Sequence, residues 1–121
     1  MKTARMVVPL MAGVLFGTSW LAAQELRGNP DKGEAVYQKH CLRCHGKFGD
    51  GQGPDAKDLI VAPQDFHAPS SRDRSDFELL IAVSNGVLFS PMHAWRGRLS
   101  EAEITDVIRY IRALAPARPT S

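Results

Sequence analysis

A chain of 121 residues with 15 basic and 13 acidic side chains and two cysteines has room for one small core and no second one. Its formal charge of +2 excludes an electrostatic nucleic-acid binder, because Lys2 and Arg5 account for the whole excess and residues 24–121 carry 13 charges of each sign. A core this small buries proportionately little surface, so a large apolar cofactor would form a major part of it.

Lys2 and Arg5 precede an apolar run from Val7 to Trp20, and Leu21-Ala22-Ala23-Gln24 then offers small residues for cleavage after Ala23. This is the pattern of an export signal over residues 1–23. The run is near the lower limit for crossing a bilayer, so a retained signal would act as a membrane anchor. Its shortness and its small, polar flank favour cleavage, which leaves 98 residues in the periplasm. They divide into a lead at 24–28, one domain at 29–115 and a tail at 116–121.

Asn29-Pro30 pairs an N-cap with proline at the first helical position, and the helix it starts delivers Cys41 to its C-terminal end. Cys41-Leu42-Arg43-Cys44-His45 then uses both cysteines in a C-x-x-C-H pattern. Two thiols at this spacing can add to the two vinyl groups of one porphyrin, while the adjacent imidazole lies under the ring and ligates iron. A thioredoxin-like pair would need a βαβ setting, and a zinc site a second ligand pair. A disulfide here would close a very small loop and stabilise little. Covalent haem c with its iron is therefore the implied cofactor, and an exported chain is where it is expected.

Gly46 to Pro54 is a glycine-rich turn suited to close backbone approach, and no Gly-Lys-Ser/Thr ends it as phosphate binding would require. Pro63 to Asp73 reads as a long polar loop over the cofactor edge. Ser75-Asp76-Phe77-Glu78 is a capping box for a helix that Asn85-Gly86 stops. Ser100-Glu101-Ala102-Glu103 is a second, opening the best helix of the chain, with Ile104, Val107, Ile108, Ile111 and Leu114 on one face and Pro116 beyond its end. The predicted class is all-α, a few helices wrapped around one cofactor.

A second iron ligand must reach the opposite face, and the donors are Met92, His93, His67 and His40. Met92 leads, because it lies in the loop between the two capped helices, with Pro91 to stiffen it and Trp95 to shield it. A thioether there would raise the reduction potential and keep iron six-coordinate. His93 is the rival, His40 reads as a solvated helix residue and His67 as a loop residue near the haem. Lys39, Arg43, Lys47, Arg96 and Arg98 flank these segments and suggest a basic docking rim, with acidic residues concentrated at 50–65 and 101–106.

Over residues 29–115 the chain resembles the class I c-type cytochromes, especially the small bacterial single-haem type. The resemblance rests on Gly33 and Tyr37 ahead of Cys41 to Gly46, on Gly53-Pro54, on Met92 before Trp95, and on Leu99-Ser100 opening a helix with Tyr110-Ile111. It implies a cytochrome c-like fold whose first and last helices cross at Gly33, Tyr37 and Tyr110. It also implies that the Pro54 carbonyl accepts a hydrogen bond from His45 and raises its basicity. In place of the proline that often follows the methionine, His93 follows and Pro91 precedes.

The expected function is one-electron carriage between redox partner proteins by a soluble, exported, single-haem protein that is not an enzyme. The expected haem contacts are Cys41, Cys44, His45, Pro54 and Trp95, with His45 and Met92 on the metal. It would act as a monomer or in transient complexes, without nucleic acid, and would meet a membrane only through a retained signal. The alternatives are a haem-based gas sensor or catalyst with a displaceable sixth ligand, and a cytochrome subunit of a larger oxidoreductase.

Overall fold

In the computed structural model, which describes residues 26–119, Asn29 starts the first helix as its sequence requires. Its side-chain oxygen accepts from the backbone N–H groups of Asp31 and Lys32 at 2.9 and 3.2 Å, and α1 runs from Pro30 to His40. The export-signal segment 1–23 lies outside the described residues. After Cys41 come α2 (Leu42–His45), a 3-10 turn (Ala56–Asp58), α3 (Pro69–Arg72), α4 (Asp76–Asn85) and α5 (Glu101–Leu114). Among the described residues there is no strand, only an isolated bridge between Arg96 and Leu99, and the class is all-α.

Both predicted capping boxes close: Ser75 with Glu78, and Ser100 with Glu103. They set where α4 and α5 begin, and so how much of each apolar face meets the core. Ile104, Val107, Ile108 and Ile111 are buried along α5. Side chains of this size contribute about 1.5–3 kcal/mol each when fully buried.

α1 and α5 cross at Gly33. A Cβ there would stand 1.9 Å from the Asp106 carbonyl oxygen, so only glycine lets the two backbones meet. One turn on, the rings of Tyr37 and Tyr110 lie 5.2 Å apart, and the Asn29 N–H donates to the Asp106 carboxylate at 2.6 Å. Tyr37 is fully buried and its hydroxyl donates to the Gly46 carbonyl at 2.7 Å. Burial raises its pKa above the ordinary phenol value, which keeps that donor proton in place. The crossing therefore holds the residue that directly follows the C-x-x-C-H segment.

The stretch 63–73 is not loop throughout. Pro69 stands at the first position of α3, and the Ser71 and Arg72 N–H groups close its turn on the Ala68 carbonyl at 2.9 and 3.0 Å. Ser71 is buried, and its hydroxyl donates to the Asp65 carbonyl at 2.7 Å. The tail folds back onto α3: the Arg118 N–H donates to the Arg72 carbonyl at 3.0 Å, and its guanidinium pairs with Asp73.

Candidate functional site

Cys41 ends α1 and starts a second helical turn. Its N–H donates to the Tyr37 carbonyl at 2.9 Å, and its own carbonyl accepts from Cys44 and His45 at 3.2 and 2.9 Å. That one turn brings positions i, i+3 and i+4 to one side, and Cys41, Cys44 and His45 all line a single cavity of about 280 Å³ that opens to solvent. Met92 lines the same cavity. Leu79, Val83, Val107 and Ile111 supply helical wall and Leu99 adds to it from the turn before α5, so the cavity is continuous with the hydrophobic core.

The donor set suits a covalently held haem. Both cysteines are free thiols, and burial, followed by the neighbouring Cys44, pushes the Cys41 thiol up to about 12. Burial also lowers the pKa of His45, with the Gln64 carbonyl acting in the opposite direction. His45 Nδ1 stands 3.4 Å from that carbonyl. A carbonyl can only accept, so Nδ1 carries the proton and Nε2 keeps the lone pair a metal needs. Two thiols, a neutral imidazole and a thioether on an apolar wall fit an iron porphyrin. Among the described residues, no group of three or more His, Cys, Asp or Glu could hold a bare metal ion.

The expected Pro54 contact is replaced. The acceptor facing His45 is Gln64, and Pro54 is exposed. The Gly53-Pro54 turn instead caps the backbone of the motif, with Gly51, Gly53 and Asp55 donating to the carbonyls of His45, Cys44 and Arg43 at 2.9, 3.1 and 2.9 Å. A Cβ on Gly53 would lie 2.2 Å from the Arg43 carbonyl oxygen, so the glycine is needed for this zipping. The turn thereby fixes where the His45 backbone sits, while the Gln64 segment faces its ring.

Phe66, which the sequence did not single out, stacks on the His45 imidazole with centroids 4.7 Å apart and planes 20° from parallel. Its N–H donates to the Gly49 carbonyl at 2.8 Å, tying residues 64–66 to the glycine-rich turn. A lone aromatic in a proline-containing loop has no periodicity to mark it.

The Met92 loop, which also lines the cavity, is held by its own backbone. Val87 N–H donates to the Met92 carbonyl at 2.9 Å, and Met92 N–H to the Ser90 hydroxyl at 3.1 Å. Gly86, at φ +74, passes so close that a Cβ would lie 2.7 Å from the Met92 carbonyl oxygen. Trp95 is buried, lines the cavity, and takes an edge contact from His40 at 5.0 Å and a tilted one from His93 at 4.5 Å. His40 is thus half-buried on the wall rather than solvated. His67 does not line the cavity, and its ring bonds the Phe48 carbonyl at 2.7 Å.

Of the expected basic rim, Lys39, Lys47, Arg96 and Arg98 are exposed. Arg43 is held in a bidentate pair by Asp55, at 2.6 and 2.7 Å, because the 3-10 turn brings the acidic stretch back beside the motif. Arg74 and Arg112 line the cavity, and Arg112 is fixed by Asp76 at 2.7 Å. Neither arginine was singled out in the sequence.

An all-α frame closed at a Gly33–Tyr37–Tyr110 crossing, with a C-x-x-C-H turn and a methionine lining one apolar cavity, defines a class I c-type cytochrome domain. Electron transfer is its work, and its cofactor is covalently bound haem c with iron. Residues 28–111 match the family described as cytochrome C oxidase, cbb3-type, subunit III, and the chain belongs to that family. It is 30% identical over 88 residues to the cbb3-type cytochrome c oxidase subunit FixP of Bradyrhizobium diazoefficiens. The match takes in 69% of this chain but only 27% of that relative, so the chain spans about a quarter of its length. Among solved structures, the Kuenenia stuttgartiensis reducing HAO-like protein complex contains a chain that aligns with a TM-score of 0.65 and 25% identity, over 72% of this chain and 43% of that one. Cytochrome c6 of the diatom Phaeodactylum tricornutum aligns at 0.56 and 24% identity, over 73% and 95%, and shares the fold. Among the described residues, no helix is long and apolar enough to cross a membrane.

Proposed function

We propose that the protein is a periplasmic single-haem cytochrome that carries one electron at a time between redox partner proteins and catalyses no reaction of its own. In this reading residues 1–23 are a cleaved export signal, 24–28 a lead, 29–115 the cytochrome domain and 116–121 a tail. Cys41 and Cys44 would hold the haem through two thioethers. His45 would be the proximal ligand of its iron and Met92 the distal one. The observation that carries the assignment is the convergence of Cys41, Cys44, His45 and Met92 on one cavity with apolar walls.

When bound, the haem supplies an iron centre that alternates between ferrous and ferric states. The chain's residues decide how readily it does so. His45, with its Nδ1 proton directed at Gln64 and its ring stacked on Phe66, keeps one orientation and one tautomer. The Met92 thioether is a weak donor that favours the ferrous state. Leu79, Val83 and Val107 give the wall an apolar surface, and Trp95, buried against His40 and His93, adds to it. Arg74 on the wall supplies a cation suited to a haem propionate.

A second reading, a cytochrome subunit of a larger oxidoreductase, is favoured by the family match and by the 27% of FixP that the chain covers. Protein made in a host that attaches haem to exported chains separates the readings. The carrier should keep its haem through acid-acetone extraction, start at Gln24, titrate with one electron and remain monomeric. Extraction of all haem would overturn the attachment. Carbon monoxide binding to the ferrous protein at neutral pH would favour a sensor, and purification only as part of a larger assembly would favour the subunit.

A further inference from the structure

A porphyrin brings propionate carboxylates into its cavity, and a charge buried beside apolar side chains needs a partner. Among the described residues, the cavity wall holds two permanent cations, Arg74 and Arg112, and no carboxylate. The two arginines meet at one corner, because the Arg112 guanidinium donates to the Arg74 carbonyl. Arg74 is exposed, whereas the Arg112 side chain is only 9% exposed.

That buried cation is not wholly available to the cavity. Its Nε donates to Asp76 Oδ1 at 2.7 Å, and Arg109 Nη1 stands 3.9 Å from the other carboxylate oxygen. Asp76 does not line the cavity. Its side chain is 21% exposed, so solvent screens its charge only in part. It is the first residue of α4, whose Leu79, Ala82 and Val83 do line the cavity, while Arg109 and Arg112 lie one turn apart on α5. A carboxylate in this position joins α4 to α5, and it also sets how much positive charge Arg112 presents to the cavity. The first role needs an acceptor at Oδ1. The second needs a negative charge.

We propose that Asp76 tunes the reduction potential of the haem iron, as a positioning residue that holds Arg112 on the cavity wall and offsets part of its charge. The inference rests on the electron-carrier reading above. Ferrous iron carries one positive charge fewer than ferric, so a cation beside the porphyrin favours the ferrous state and an anion the ferric. By offsetting Arg112, Asp76 keeps the potential below the value that the unpaired arginine would give.

Asp76→Asn keeps an acceptor for Arg112 and removes the charge. Redox titration of the haem-loaded variant should show a higher potential, with the ferrous-to-ferric ratio at the wild-type midpoint raised about threefold or more and the optical spectrum unchanged. Arg112→Gln should lower that ratio by about threefold or more, and the double variant should return to within about twofold of the wild type. Loosening of the α4–α5 contact would move both single variants in one direction, so opposite shifts mark an effect of charge. Asp76→Glu, which retains the charge, should stay within about twofold of the wild type, and the contrast between Asn and Glu at this position decides the matter where Arg112→Gln gives no holoprotein. An unchanged potential in Asp76→Asn, shifts of one sign in Asp76→Asn and Arg112→Gln, or an Asp76→Glu protein that matches Asp76→Asn would overturn the tuning role and leave the carrier reading intact. A wild type with no reversible one-electron reduction would overturn both.

Discussion

The α1–α5 crossing and the two loops around the cavity are held by different means. At the crossing, side chains and backbone meet directly: Gly33 against Asp106, Tyr37 against Tyr110, with Val107 and Ile108 fully buried beside them. Around the cavity, residues 46–68 and 86–95 are fixed mainly by backbone hydrogen bonds, and Leu59, Val61, Phe66, Val87 and Met92 are among the side chains they bring to the pocket wall. A frame of the first kind has its shape from its own packing. A site of the second kind owes its donors' positions to turns, and its side chains can change without unmaking the frame.

The largest effect should come from Gly33→Val, which forces the crossing apart at a backbone carbonyl. We expect a loss on the order of 4 kcal/mol in denaturant melts and little soluble holoprotein; a loss under about 1 kcal/mol would mean that the crossing is not set by packing. Ile108→Ala empties a fully buried position and should cost about 3 kcal/mol, with the haem spectrum unchanged in the folded fraction. If the spectrum moved with it, frame and site would not be separable.

Met92→Ala should do the opposite. Half-buried Met92 contributes less to the frame, so stability should fall by roughly 1 kcal/mol or less in the apoprotein. Redox titration should nonetheless show a lower potential, and the ferrous variant should bind carbon monoxide. His93→Ala should leave both nearly unchanged; the reverse pattern would move the ligand to His93. Phe66→Leu removes the ring stacked on His45 and should shift the potential without loss of Met92 ligation, read by redox titration.

The smallest effect belongs to a helix start. Hydrogen bonds from the Ser100 N–H and hydroxyl hold the Glu103 carboxyl below the usual carboxylate range. A pKa lower in the folded than in the unfolded chain stabilises the fold above the ordinary carboxylate pKa, and that share is lost as pH falls through the folded value. Glu103→Gln should remove this acid-side dependence, so its melting curve should approach the wild type's as pH is lowered.

The frame was legible because its signals are local. Asn29-Pro30, both capping boxes, Gly86 and the apolar stripe of α5 each act within a few residues of themselves, and each gave an element that the structure contains. The C-x-x-C-H turn was legible for the same reason. The cavity's supporting contacts were not, because they join loops far apart in sequence through groups without a signature. A Gln64 carbonyl looks like any other carbonyl, and Phe66 lies in no periodic stretch, so the resemblance led to Pro54 instead. One charge pair was hidden likewise: Arg43 and Asp55 read as parts of separate basic and acidic stretches until the intervening turn brought them together. α3 went unread because its four residues are too few to show a period.

The central claim is that one cavity supplies both axial ligands of a covalently held haem, His45 from the motif turn and Met92 from the opposite loop. Proton NMR of the ferrous, haem-loaded protein tests it most directly, because a methionine methyl held over a porphyrin is shifted far upfield by the ring current. The account predicts one such methyl, present in the wild type and in His93→Ala and absent in Met92→Ala. A wild-type spectrum with no upfield methyl, or one in which the signal survives in Met92→Ala, would contradict it.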